Sequence, residues 1–275
     1  MTIFELFFLP ILAFLVAVIA AMLGIGGGVF IVPALQLLPL SVDFTSQMAV
    51  GTSLTMIVFT SLSSSAGYSR QKRIDYKIGL LFATTTIPGS LAGAYIAEAI
   101  SEELLVLIFA LFLLYVASRM ILPFNFGLKS LITRRKCPMR RLTDSEGRVF
   151  EYYEDLVRGL PLSFFAGLSS GLLGIGGGTL MVPILHFVLC FPMHLAVATS
   201  AFTMIFTSIS GVSTHFSLGN VQLEYGILLG VGAVLGAQIG AYVAKRTSSK
   251  NLRRIFGSVL VIIGLRMILE FLGWA

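Results

Sequence analysis

Apolar residues in this chain come in long runs, without the alternation or narrow stripes that mark half-buried strands and surface helices. Residues 77–97, 104–122 and 255–272 carry little or no charge over about 18 to 21 positions. At roughly 1.5 Å per residue each crosses a hydrocarbon core of about 30 Å as a helix. A membrane β-barrel would instead show alternating segments of about ten residues, so the pattern predicts an all-α, polytopic membrane protein. Two shorter apolar pieces, 160–173 and 179–191, flank a glycine run and fall short of a crossing.

The runs repeat. "LGIGGGVFIVPAL" from Leu23 is matched by "LGIGGGTLMVPIL" from Leu173, and "AVGTS" from Ala49 by "AVATS" from Ala196. The latter spacing then holds for "FTS", "GAY" and "RMIL", with Phe59 on Phe206, Gly93 on Gly240 and Arg119 on Arg266. Such internal similarity defines two homologous membrane repeats, residues 1–123 and 159–275, joined by a polar connector at 124–158.

Charge then sets their orientation. "SRQKRID" (69–75) is basic whereas its counterpart "SLGNVQLE" (217–224) has no Lys or Arg; "EAISEE" (98–103) is acidic whereas its counterpart "KRTSSKNLRR" (245–254) is strongly basic. Equivalent loops of opposite character belong on opposite sides of a membrane. The halves are therefore expected to be inverted repeats, each a glycine-broken re-entrant helix pair plus three transmembrane helices; in the first half, residues 3–23 are long enough to span, which leaves a broken or two-helix version open there. The layout places the connector in the cytoplasm and both termini outside. The first apolar stretch lacks a basic n-region and has a twin deep in the chain, so it reads as retained rather than as a cleaved signal. "TDSEGRVFEYYEDL" in the connector predicts a short hairpin about 145–147.

Composition agrees with the pattern: 56% of residues are hydrophobic and 12% charged. The net charge of +6 does not point to nucleic acid, because 17 of the 19 Lys and Arg lie in three loops between apolar runs. Cys137 and Cys190 have no metal-like or redox-like spacing, and no metal or cofactor is expected.

Candidate chemistry centres on the glycines. Irregular backbone at membrane depth belongs against a cavity or ligand, and a helix restarting after a glycine turn offers unpaired N–H groups that favour an anion. Gly24, Gly26, Gly27 and Gly28, with Gly174, Gly176, Gly177 and Gly178, are the candidate substrate-binding segments. Thr52, Ser53, Thr199 and Ser200 are hydroxyls at matching places near helix starts and join them. Pro33 and Pro183 are the candidate helix-break residues. Gln47 and His194, at equivalent positions, are candidates for coupling or gating. Gly89 with Gly93, Gly226 with Gly230, and Gly236 with Gly240 read as helix-packing positions. "GLSSG" (167–171) imitates a nucleophile elbow, which requires a strand-to-helix turn, and it sits in an apolar helix; an enzyme is not expected. The glycine runs also miss the dinucleotide spacing at Val29 and Thr179.

The paired glycine segments, the following A-V-x-T-S and the two-half organisation resemble the TSUP family, also called the sulfite exporter TauE/SafE family. The resemblance covers essentially the whole chain. It implies a secondary transporter of small sulfur-containing anions (sulfite, thiosulfate or organosulfonates) in the bacterial inner membrane, with the motif on the eight glycines above and on Pro33 and Pro183. Alternatives from the residues alone are an anion channel of the same architecture and an intramembrane serine hydrolase using Ser169 or Ser170.

Overall fold

The structure, a computed structural model, describes residues 3–99, 102–121, 139–153 and 155–271. Cys137, residues 124–138 of the connector and the last residues of the chain lie outside that set. Among the described residues are ten α-helices and one antiparallel hairpin. In the first half these are α1 (Ile3–Leu23), α2 (Gly28–Leu37), α3 (Ser46–Arg70), α4 (Tyr76–Ala97) and α5 (Glu102–Ile121). The hairpin follows, with β1 (Met139–Thr143) and β2 (Val149–Tyr153) pairing Arg141 with Glu151. The second half holds α6 (Leu156–Leu173), α7 (Gly178–Pro183, continued by a π turn at Ile184–Val188), α8 (Met193–Ser217), α9 (Leu223–Arg246) and α10 (Ser249–Phe271). The chain is an all-α polytopic membrane protein: α1, α3, α4, α6, α8 and α9 are long and apolar enough to cross a bilayer.

One expectation changes in detail. The 160–173 segment is not a short half-helix, because α6 starts at Leu156 and runs 18 residues. In both halves the arm before the glycines is full length and only the arm after them is short, α2 having 10 residues. The longer arm is held along its length by the other half. Ideal Cβ atoms at Gly232, Gly236 and Gly240 of α9 would lie 1.9, 2.2 and 2.3 Å from the carbonyl oxygens of Pro10, Phe14 and Val18 of α1. Gly89 and Gly93 of α4 abut Phe164 and Leu168 of α6 in the same way, at 2.3 and 2.2 Å. These glycines are packing positions, where absence of a side chain lets two backbones approach.

Carrying α1 onto α6, α3 onto α8, α4 onto α9 and α5 onto α10 leaves the packing unchanged. α1 lies on α9 as α6 lies on α4, and α3 lies on α9 as α8 lies on α4; α3 meets α8 and α5 meets α10 across the boundary. Directions follow from the close approaches. Gly226 and Gly230 face Thr55 and Phe59, so α9 and α3 run parallel; Gly51 faces His215 while Gly211 faces Leu54, so α3 and α8 run antiparallel. After α2 the chain comes back to where α1 began: Glu5 accepts hydrogen bonds from the Ser41 backbone N–H and, at 3.0 Å, from its hydroxyl.

The hairpin is built into the helical body. Arg73, from the α3–α4 loop, is 1% exposed and donates to Asp144 through Nη2 at 2.9 Å and Nε at 3.2 Å. Ser145 N–H donates to the Gln71 carbonyl at 3.0 Å, and Lys245 reaches Glu146 at 2.8 Å. Tyr152, 2% exposed, donates to Asp75 and packs its ring on Phe191 at 4.1 Å. The hairpin, the α3–α4 loop and the α9–α10 loop therefore meet on one face.

Candidate functional site

Each glycine segment turns through left-handed backbone. Gly24, Gly26 and Gly27 have φ of 71°, 83° and 98°, and Gly174, Gly176 and Gly177 have 67°, 76° and 73°, a region open to glycine and costly for other residues. The turn caps α1 or α6 and starts α2 or α7 within a few residues, so α2 and α7 begin with free N–H groups inside the protein. Pro33 lies inside α2, which continues to Leu37, whereas Pro183 ends α7 where the π turn begins. The interruption itself is at the glycines.

The two turns touch. A Cβ on Gly28 would sit 1.8 Å from the Gly174 carbonyl oxygen, and one on Gly178 would sit 2.2 Å from that of Gly24. Gly26 and Gly176 both rest against Ile57 and Met204, themselves equivalent residues of α3 and α8. The four hydroxyls singled out in the sequence tie the halves together here. Ser53 donates to the Gly174 carbonyl and Ser200 to that of Gly24, each at 3.0 Å. Thr199 accepts from Asp75 N–H at 3.1 Å and Thr52 from Gln222 N–H at 3.0 Å. Gln47 and His194 are not brought together. They stand at the starts of the antiparallel helices α3 and α8, with Gln47 half-buried and His194 buried.

The two turns differ in their surroundings. Around the first lie Val16, Ala20 and Met56. Around the second lies a narrow cleft lined by Thr86, Thr203, Thr207, Gly176 and Gly177, with Thr207 donating to Thr86 at 2.8 Å. Ser170, against Gly177, and Thr179, in the first turn of α7, are fully buried, and their hydroxyls have no hydrogen-bond partner among the described residues. Their first-half counterparts are Ala20 and Val29. Similarity between the halves does not mark Ser170, Thr179 or Thr86 as binding residues; their signal in the sequence is a polar residue in one repeat against an apolar one in the other.

The model of the family described as Sulfite exporter TauE/SafE matches residues 9–267. The chain belongs to this family. It is 34% identical over 271 residues to the probable membrane transporter protein YunE of Bacillus subtilis, covering 95% of this chain and 97% of that one. It is 25% identical over 277 residues to the probable membrane transporter protein MJ0441 of Methanocaldococcus jannaschii, covering 95% and 94%. No solved structure matches it. As a TauE/SafE family member the protein is a multi-pass membrane transporter and not an enzyme. "GLSSG" accordingly lies within the unbroken helix α6, with Ser169 donating back to the Ala166 carbonyl at 2.9 Å.

Proposed function

We propose that the protein is a secondary transporter of a small sulfur-containing oxyanion (sulfite, thiosulfate or a short organosulfonate) that works by alternating access between inverted halves. The observation that carries this reading is the pair of buried, unpartnered hydroxyls, Ser170 and Thr179, at the second glycine turn. A buried donor without an acceptor costs about 1–3 kcal/mol, and a bound anion relieves that cost. Together with the N–H groups at the start of α7 these hydroxyls supply donors to several oxygens at once, without a fixed cation that would slow release. Gly174, Gly176, Gly177 and Gly178 shape this site; Gly24, Gly26, Gly27 and Gly28 form the opposing wall. Thr52, Ser53, Thr199 and Ser200 act by joining the halves across it.

The antiparallel run of α3 and α8 supports the inverted arrangement, and an unequal opening of the two faces supports alternating access. A cavity of about 340 Å³ opens at Val29, Phe30, Gln36, Ile175 and Arg266. In the other half the corresponding Leu180 and Ile25 are packed into the core. This conformation is thus open beside α2 and closed beside α7. By the positive-inside rule the hairpin face is cytoplasmic and the α2 cavity faces outward, in a bacterial inner membrane.

The test is uptake by proteoliposomes of sulfite, thiosulfate and sulfoacetate, with sulfate and an uncharged solute as controls. Saturable uptake of a sulfur anion is expected. Thr179→Val and Ser170→Ala should each raise KM about tenfold, the worth of one hydrogen bond to a charged ligand. Flux that rises linearly with concentration would instead mark a channel, and no flux of any anion overturns the reading.

A further inference from the structure

The hairpin face holds a second cavity, of about 610 Å³, lined by Glu146, Arg148, Phe150, His194, Tyr242, Lys245 and other residues to Ser249. Three cations border it, Arg148, Lys245 and Arg246, against the one carboxylate of Glu146. That carboxylate bridges the cluster, lying 2.8 Å from both Arg148 and Lys245. The Lys245 hydrogen bond, the largest influence on it, and the nearby positive charges hold its pKa below the usual carboxylate value. Arg246 lies over the Tyr242 ring at 4.5 Å, which fixes its guanidinium at the cavity edge. His194 is 6% exposed, lines the cavity and has no side-chain hydrogen bond among the described residues. It stands at the start of α8, where free N–H groups add to the positive field. The position equivalent to Lys245 on the opposite face is Glu98, which is engaged by Asn220. The two mouths of the molecule thus differ in sign.

We propose that this cavity is an anion-binding vestibule, and that Glu146 holds the place an incoming oxyanion takes between Arg148 and Lys245. A multivalent oxyanion entering there displaces the carboxylate and adds Arg246 and His194 to its partners. Glu146 is also the tip of the hairpin, so displacement frees that tip from the α9–α10 loop. The ligand class rests on the anion reading above; the cavity, its charges and the internal carboxylate stand apart from it.

The experiment is titration calorimetry of the detergent-purified full chain with sodium thiosulfate and with sodium sulfate, against chloride at matched ionic strength. Saturable binding of the oxyanions is expected. Lys245→Gln combined with Arg246→Gln should weaken it about tenfold, as expected for charge-assisted bonds at a partly exposed site. Glu146→Gln should act in the opposite direction and tighten it. Unchanged affinity in the double variant, weaker or equal affinity in Glu146→Gln, or heat no different from chloride would each overturn the proposal. Binding with the stated variant pattern in a protein that moves no anion would sink only the transport reading.

Discussion

At the scale of single residues the glycines do two jobs that side chains cannot share. Gly24, Gly26 and Gly27 need left-handed backbone, whereas Gly28 needs vacancy, since even a methyl would overlap the Gly174 carbonyl. Gly178 has the same constraint against Gly24, with Met204 Sδ a further 2.6 Å from the missing Cβ. Gly28→Ala and Gly178→Ala are therefore expected to force the two turns apart and abolish uptake, with the protein still inserted, as read by transport beside surface-expression assays. Normal uptake in both would return these positions to ordinary packing. The glycine runs were legible because both repeats carry them. Ser170 and Thr179 were not, because a hydroxyl inside a helix normally bonds to the preceding turn. Only the packed surroundings reveal that these two do not.

At the scale of elements, the long helices are joined by backbone-to-backbone contact and the hairpin by charge. Gly236 of α9 and Gly89 of α4 occupy equivalent places on α1 and α6, and a leucine at either must push two helices apart. Each substitution should cost about 1–3 kcal/mol, the usual penalty of overpacking, measured as lower thermal stability in detergent; a neutral result in both would show that the interface yields easily. The hairpin depends on Arg73 and Asp144. Burial alone would raise the Asp144 pKa, but hydrogen bonds from Arg73 and from the Arg148 and Glu146 N–H groups outweigh it and hold the carboxyl below its usual value. A depressed carboxylate contributes stability above its unfolded pKa, about 4, and loses it as pH falls through the folded value. Hairpin docking, followed by limited proteolysis, should be constant from about pH 7 to 5 and fail only below about pH 4. Asp144→Asn should weaken docking at neutral pH by about 3 kcal/mol, because it leaves the buried Arg73 guanidinium without its counter-charge. The turn of the hairpin was readable from "DSEGR", with Gly147 at φ 80°. Its burial was not, since a sequence with eight basic and five acidic residues across the connector reads as solvated until Arg73 and Asp75 are seen beneath it.

At the scale of the whole molecule, two observations of different origin bear on orientation. Loop charges predict that 69–75 and 245–254 share a side, and hydrogen bonds through Gln71, Arg73 and Lys245 gather both loops around one hairpin. The apolar runs and the repeat spacing were enough to read the helices and their pairing by equivalence. They were silent on how far α6 extends, because Arg158 and Gly159 continue it at a rim where no hydrophobic signal is needed. They were equally silent on which face is open, a matter of how packed helices lean. If the halves are inverted as proposed, single cysteines should sort by face rather than by half. With Cys137 and Cys190 replaced by serine, Lys72→Cys and Lys250→Cys, from different halves, should react with an impermeant thiol reagent only after cells are permeabilised. Asp43→Cys and Gly219→Cys, again one from each half, should react in intact cells. All four side chains or sites are exposed. Labelling that instead pairs the equivalent positions 72 and 219 on one side, with 43 and 250 on the other, would overturn the inversion and with it the exchange of faces on which alternating access depends.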